Sequence, residues 1–267
     1  MSTVRLVTLI TGASAGIGAA FAETLAERGH HLVLVARRGE RLEALAERLR
    51  GLYGARVDWV ALDLAEPGAA ERLIAWCDER EFSIDWLINN AGLGMPGRLH
   101  DSEWREHAAC LRLMVEAPTE LVARALPMMR RRGCGTVINV ASLAAYLPGT
   151  EGHTLYAGIK AYLLRFSESL ALENRAAGVR VCALCPGLTL SEFHDVTGTR
   201  ELMAKLPGFM WQRADQVVEA ALDGLARDRT IVVPGRFNRL TKRLARLIPE
   251  RLALWLAARE SKRYRQL

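Results

Sequence analysis

The chain has 267 residues, half of them hydrophobic, and a formal net charge of +6. That length suits one large α/β domain or two small ones, with apolar content enough for a sizeable core. No repeat, no low-complexity tract and no apolar run of about 18 residues occurs, which excludes a membrane-spanning helix.

In chain order, "RLVTLIT" (5–11) predicts a strand, followed by a helix from about Gly16 to Arg28. The short apolar run meets Gly12, Gly16 and Gly18, which is not the form of a signal peptide, and a cytoplasmic chain is expected. "HLVLVA" (31–36) is a strand. "GERLEALAERLR" (39–50) sets Leu42, Leu45 and Leu49 on one helical face. "RVDWVALD" (56–63) is a strand, and Pro67 suits the first position of the helix after it. "IDWLINN" (84–90), "GTVINVAS" (135–142), "VRVCALC" (179–185) and "TIVV" (230–233) are strands. Helical stretches cover roughly 102–131, 153–176 and 214–227. Strands alternating with helices imply right-handed crossovers and a parallel sheet. Near-continuous apolar strands imply helices on both faces. The expected fold is a doubly wound, Rossmann-like α/β sheet of about seven strands in one domain, with a helical C-terminal extension.

The five cysteines (77, 110, 134, 182 and 185) read as reduced thiols. Cys182 and Cys185 form C-x-x-C inside a predicted strand, where residues three apart face opposite sides, so both are taken as core packing. The six histidines show no ligand spacing, and no metal is assigned.

In such a sheet, ligands bind beyond the carboxyl ends of the strands. After the first strand comes "TGASAGIG", with Gly12, Ser14, Gly16, Ile17 and Gly18. Its glycines let backbone approach a pyrophosphate, and the helix starting there offers free N–H groups. The spacing is G-x-x-x-G-x-G; the alternative reading is a tight turn that merely needs glycine. The second strand ends with Arg37 and Arg38 in place of an acid, and an arginine fork suits a 2′-phosphate. NADP(H) is therefore favoured, with Arg37 as the main contact. Asp63, beside Leu64, can accept from an adenine amino group. Asn90, Ala91 and Gly92 form a small-residue turn along the cofactor path.

"TGASAGIG", "NNAG", Ser142 after "INV", "YAGIK" and "PGLTLSEF" together resemble the short-chain dehydrogenase/reductase family over residues 3–235. The resemblance implies that Tyr156 exchanges the proton at the substrate oxygen. Lys160 would bond the nicotinamide ribose and Ser142 the substrate oxygen. It further implies that Asn90 braces the central strand and that Pro186, Gly187 and Thr189 hold the carboxamide, with Ser191 a weaker member. Physically, Lys160 one turn after Tyr156, together with an oxidised nicotinamide, is expected to lower the phenol's pKa. One position departs from the family: Met114 stands where an asparagine usually helps hold a water that links the lysine to solvent. A weakened or rerouted proton relay is expected.

A lid is expected between "PGLTLSEF" and Asp215, carrying Phe193, Met203, Leu206, Phe209, Met210 and Trp211. With Leu93, Met95, Leu143 and Tyr146 it implies an apolar pocket and a lipophilic or bulky carbonyl or secondary alcohol. His194 is a candidate substrate contact, though a lone histidine is more often structural. Residues 236–267 hold ten Lys/Arg against two acids, so this tail is +8 and the rest of the chain −2. The chain thus divides into 1–235, the catalytic domain, and 236–267, a basic amphipathic tail. The tail suits packing on the body, peripheral contact with an anionic membrane, or an acidic partner. A nucleic-acid partner is not expected, since the body is slightly acidic; a homodimer or homotetramer is the family expectation. Two rival functions stand beside a carbonyl oxidoreductase: a 3-oxoacyl-carrier-protein or polyketide ketoreductase, and a non-catalytic NADP-binding sensor.

Overall fold

The structure, a computed structural model, describes residues 5–192 and 207–261. All seven predicted strands form, with ends moved by a few residues. They are β1 (Arg5–Thr11), β2 (Leu32–Ala36), β3 (Val57–Ala61), β4 (Phe82–Asn89), β5 (Gly135–Val140), β6 (Val179–Leu184) and, last in the chain, β9 (Ile231–Val232). Two further short strands, β7 (Thr189–Leu190) and β8 (Gln212–Arg213), pair with each other apart from the main sheet. The main sheet runs β3-β2-β1-β4-β5-β6-β9 and every pairing in it is parallel. The chain steps outward from β1 to β3, then crosses back to place β4 on the other side of β1. That reversal opens a crevice at the carboxyl ends of β1 and β4.

Alternation along each strand sends side chains to two helical layers. Ile10, Leu32, Leu34, Ile88 and Ile138 pack with α1 (Gly16–Glu27), α2 (Gly39–Tyr53) and α7 (Ala214–Ala226), through Phe21, Leu25, Leu42, Leu49 and Val217. Val7, Leu9, Val33, Val35, Leu87 and Val137 face α3 (Ala69–Asp78), α5 (Ala117–Arg132) and α6 (Tyr156–Asn174). Both faces are therefore covered, as the apolar strands required.

One expectation is corrected. Pro67 does not open α3; the helix begins at Ala69, after Gly68 in the left-handed region at φ +68°. The long helical region forms over 104–132 and is built from α4 (Trp104–Leu111), a π-helical turn over Arg112–Glu116, and α5. Such turns cluster at functional sites.

A chain of buried polar contacts fixes α6 to the sheet. Asn89 Nδ2 donates to Asn139 Oδ1 (2.9 Å), Asn139 Nδ2 to Ser167 Oγ (2.9 Å), and Ser167 Oγ to the Leu163 carbonyl (2.7 Å). Lys160 Nζ adds a bond to the Val140 carbonyl at 2.8 Å. Hydrogen bonds in a dry interior are costly to break singly, so they set the position of α6 and the residues on it.

The tail forms two helices, α8 (Arg236–Leu247) and α9 (Glu250–Ser261). Its first turn is tied to the body: buried Asn238 donates to Gln212 Oε1 (2.8 Å) and the Pro234 carbonyl (2.9 Å).

Candidate active site

The loop after β1 brings three backbones together. Gly12 lies at φ +65°, and a Cβ there would stand 2.8 Å from Ala91 Cα. A Cβ on Gly18 would stand 2.3 Å from the Gly12 carbonyl oxygen, so neither position admits a side chain. Asn90 Nδ2 donates to the carbonyls of Thr11 (3.0 Å) and Gly12 (3.1 Å). Thr11 Oγ1 accepts from the backbone of Asn90 and Ala91, each at 3.0 Å. Asn90 thus braces the end of β1 as the resemblance implied, and Gly92 continues the turn beside Met114. Helix α1 starts at Gly16 with Ala15 as its cap, no side-chain cap bond and no acid in its first turn. Its leading N–H groups have no side-chain acceptor, which fits a dinucleotide pyrophosphate. Ile17 packs toward the α1 layer of the core.

The arginines fall differently from expectation. Arg37 is exposed and makes no hydrogen bond among the described residues. Arg38 instead turns to the loop, donating to Ser14 Oγ at 3.0 Å. Arg38 and Arg41 both reach Glu192, at 3.1 and 2.6 Å. Arg41 was missed in the sequence; its only signal was its place three residues after Arg38, on the same face of the first turn of α2. Asp63 accepts from the Ala65 N–H at 2.9 Å, closing the turn after β3 over buried Leu64.

Ser142 lies just beyond β5, where its hydroxyl accepts from the Ala144 N–H at 3.1 Å and caps a short turn. Tyr156 opens α6, its hydroxyl bonded to the Ser142 side chain. Lys160 follows one turn on, 5 % exposed, with its ammonium 5.7 Å from the Tyr156 ring centroid. The structure therefore brings Ser142, Tyr156 and Lys160 together. The electrostatics correct the expectation for the cofactor-free chain. Burial holds the Tyr156 phenol above its usual value, and the Ser142 bond offsets this only in part. Burial also brings the Lys160 amine down to about 8, between the buried thiols of Cys185 and Cys110. Cys182 and Cys185 are both buried and free, as read from the sequence.

The turn after β6 lies against this group. The Pro186 carbonyl accepts from the Leu143 N–H at 2.8 Å. A Cβ on Gly187 would lie 2.5 Å from Asn238 Oδ1, so the turn fits only glycine and leans on the tail. Thr189 is buried and donates to the Gly187 carbonyl at 3.2 Å. Ser191, not Thr189, faces the glycine loop: a Cβ on Gly16 would come within 2.9 Å of Ser191 Cβ.

Beside Tyr156 lies a shallow, solvent-open cleft, lined mainly by Leu93, Met95, Pro96, Leu99, Cys110, Met114 and Leu155, with Arg98, Ser102, His107 and Thr154 as its polar members. Leu93 and Met95 were expected there. Leu143 and Tyr146 are not part of it. Tyr146 is covered by α8, with Lys242 and Arg246 at 4.8 and 5.4 Å from its ring centroid. Phe209 stands edge-on to Phe237 of α8 at 5.4 Å. Phe193, His194, Met203 and Leu206 lie outside the described residues.

Comparison with known proteins agrees with this geometry. The family model described as short chain dehydrogenase matches residues 6–201. A short chain dehydrogenase of Pseudocercospora fijiensis is 34% identical over 69% of this chain and 60% of its own length. A 7beta-hydroxysteroid dehydrogenase of Collinsella aerofaciens is 28% identical over 85% of this chain and 86% of its own. Among solved structures, a short-chain dehydrogenase from Sphingobium yanoikuyae in complex with NADPH superposes with TM-score 0.78 at 35% identity, covering 86% and 87% of the two chains. A bulky-bulky ketone specific alcohol dehydrogenase from Comamonas testosteroni gives 0.75 at 32%, covering 93% and 96%.

Proposed function

The chain belongs to the short chain dehydrogenase family, and from that premise we propose that it is an NADP(H)-dependent oxidoreductase acting on a carbonyl or secondary alcohol of a lipophilic or bulky substrate. The observation that carries this reading is the Ser142–Tyr156–Lys160 group standing between an uncapped helix N-terminus and an apolar cleft. When bound, NADP(H) supplies or accepts the hydride. It would be held by the Gly12–Gly18 loop, the Asn90–Gly92 turn, Lys160 and the Pro186–Ser191 turn, with Ser14, Arg38 and Arg41 at its 2′-phosphate.

The protein's own part is proton transfer and orientation. Tyr156 gives its hydroxyl proton to the substrate oxygen during reduction and takes one back during oxidation. Ser142, already bonded to Tyr156, donates to the same oxygen as charge builds on it. In the cofactor-free chain the phenol carries its proton at neutral pH, so a proton is in place for reduction, though burial makes it a weaker acid than free tyrosine. The apolar lining of the cleft and the NADPH and bulky-ketone proteins among its structural relatives support the cofactor and substrate class.

NADPH oxidation against a panel of bulky apolar ketones is expected to show turnover. Tyr156→Phe is expected to remove it by about 10²- to 10⁴-fold with NADPH binding retained. Cofactor binding without turnover across the panel favours the sensor. Turnover confined to carrier-bound 3-oxoacyl chains favours the ketoreductase. For the tail, the exposed Leu240, Leu244 and Leu247 stripe beside Arg236 and Arg243 supports peripheral contact with an anionic membrane.

A further inference from the structure

The end of the 186–192 turn crosses the mouth of the dinucleotide crevice. Ser191 rests on Gly16, and the next residue reaches over the loop to the far wall. There Arg41 Nη1 meets both carboxylate oxygens of Glu192, at 2.7 and 2.6 Å, and Arg38 Nη1 meets one at 3.1 Å. Arg38 simultaneously holds Ser14 Oγ in the glycine loop. Two guanidinium groups thus converge on one anion, and that anion comes from the chain itself. The two arginines keep the Glu192 carboxyl below its usual value, so it is ionised at neutral pH.

We propose that Glu192 is a cofactor-specificity residue: its carboxylate takes the Arg38–Arg41 seat and competes there with the 2′-phosphate of NADP(H). A dianionic phosphate and a carboxylate cannot share these donors without like-charge repulsion, so the 2′-phosphate binds only as Glu192 is displaced. A nicotinamide cofactor lacking that phosphate leaves the bridge in place. Glu192 therefore lowers the preference for NADP(H) over NAD(H) below what two free arginines would confer.

The proposal rests on the NADP(H) reading, and binding of two fragments separates the two. Adenosine 2′,5′-bisphosphate and 5′-AMP are titrated by calorimetry into the full chain and into Glu192→Gln. All three side chains of the bridge are near half exposed, so each ion pair is worth at most about 1 kcal/mol. The bisphosphate is accordingly expected to bind about 3- to 10-fold tighter in Glu192→Gln, with 5′-AMP changing by less than about twofold. The gain is expected to shrink in an Arg41→Ala background, and the KM ratio of NADPH to NADH to fall in parallel. An unchanged or weakened bisphosphate, or an equal shift for both fragments, overturns the competition. If Glu192→Gln, like the wild-type chain, binds both fragments equally, the NADP(H) reading itself has failed, and the role of Glu192 with it.

Discussion

Lys160 shows how a single residue can trade stability for chemistry. Its amine is enclosed, held by one carbonyl bond, and brought from 10.5 to about 8 by desolvation. A base whose folded pKa lies below its unfolded one binds fewer protons when folded, so its burial penalty is complete below pH 8 and vanishes by about pH 10.5. Lys160→Met keeps the length and removes the charge. Its melting temperature is expected to exceed the wild type's at pH 7, with the difference shrinking toward pH 10; a gain that does not change with pH would rule out a desolvated charge. The same variant is expected to lose turnover. At this scale the sequence was readable where residue type alone decides the matter. The glycines, Asn90 and the Tyr156–Lys160 spacing needed only backbone geometry and helical period. Arg38 and Arg41 could not be ranked against Arg37, because which guanidinium turns to the loop depends on Ser14 and on a glutamate some 150 residues away. The direction of the Tyr156 shift was also hidden, since burial exceeds any charge term that spacing suggests.

Among the elements, the π-helical turn over Arg112–Glu116 carries Met114, which stands where the resemblance places an asparagine. Widening the helix by one residue pairs the Ala117 N–H with the Arg112 carbonyl and displaces the bonds that carbonyls nearby would otherwise accept. Backbone oxygens at this turn can then serve where the family uses an asparagine amide. Met114 itself is buried at 2 % exposure, between Gly92 and the cleft beside Tyr156. Met114→Asn is expected to lower unfolding stability by about 2 kcal/mol, from lost packing and a buried amide. Its kcat is expected to equal or exceed that of the wild type. Denaturant melts and steady-state rates on one preparation check both halves, and a steep fall in kcat would show that the relay does not pass this turn. The strands and most helices were legible from apolar period, but this turn was not. A π bulge leaves the composition of a helix untouched, and only its bonding pattern differs.

The molecule as a whole is divided in charge, and the structure shows which residues the basic end turns inward and which outward. Helix α8 turns Asn238, Lys242 and Ala245 inward, the first against Gly187 and the second over Tyr146. Its first turn is therefore packed into the body, and removing the tail at Arg236 is expected to disturb the 186–189 turn on which Asn238 rests. Outward it presents Phe237, Leu240, Leu244 and Leu247 on one stripe, with Arg236, Arg239, Arg243 and Arg246 beside it. No acidic residue interrupts 236–249, and α9 adds exposed Leu252, Trp255 and Leu256. A leucine stripe flanked by arginines suits the plane of an anionic bilayer surface, where apolar burial and surface charge act together. Phe209, edge-on to Phe237, extends this apolar surface beyond the helix. The test leaves the inward face intact. Wild-type protein is expected to pellet with vesicles containing phosphatidylserine, and Leu244→Glu with Leu247→Glu to stay in the supernatant with its melting temperature preserved. Binding is expected to weaken with added salt and to fail on neutral vesicles. Should the double variant instead change the oligomeric state in solution while pelleting is unaffected, the stripe is covered by a second copy of the chain and not by lipid.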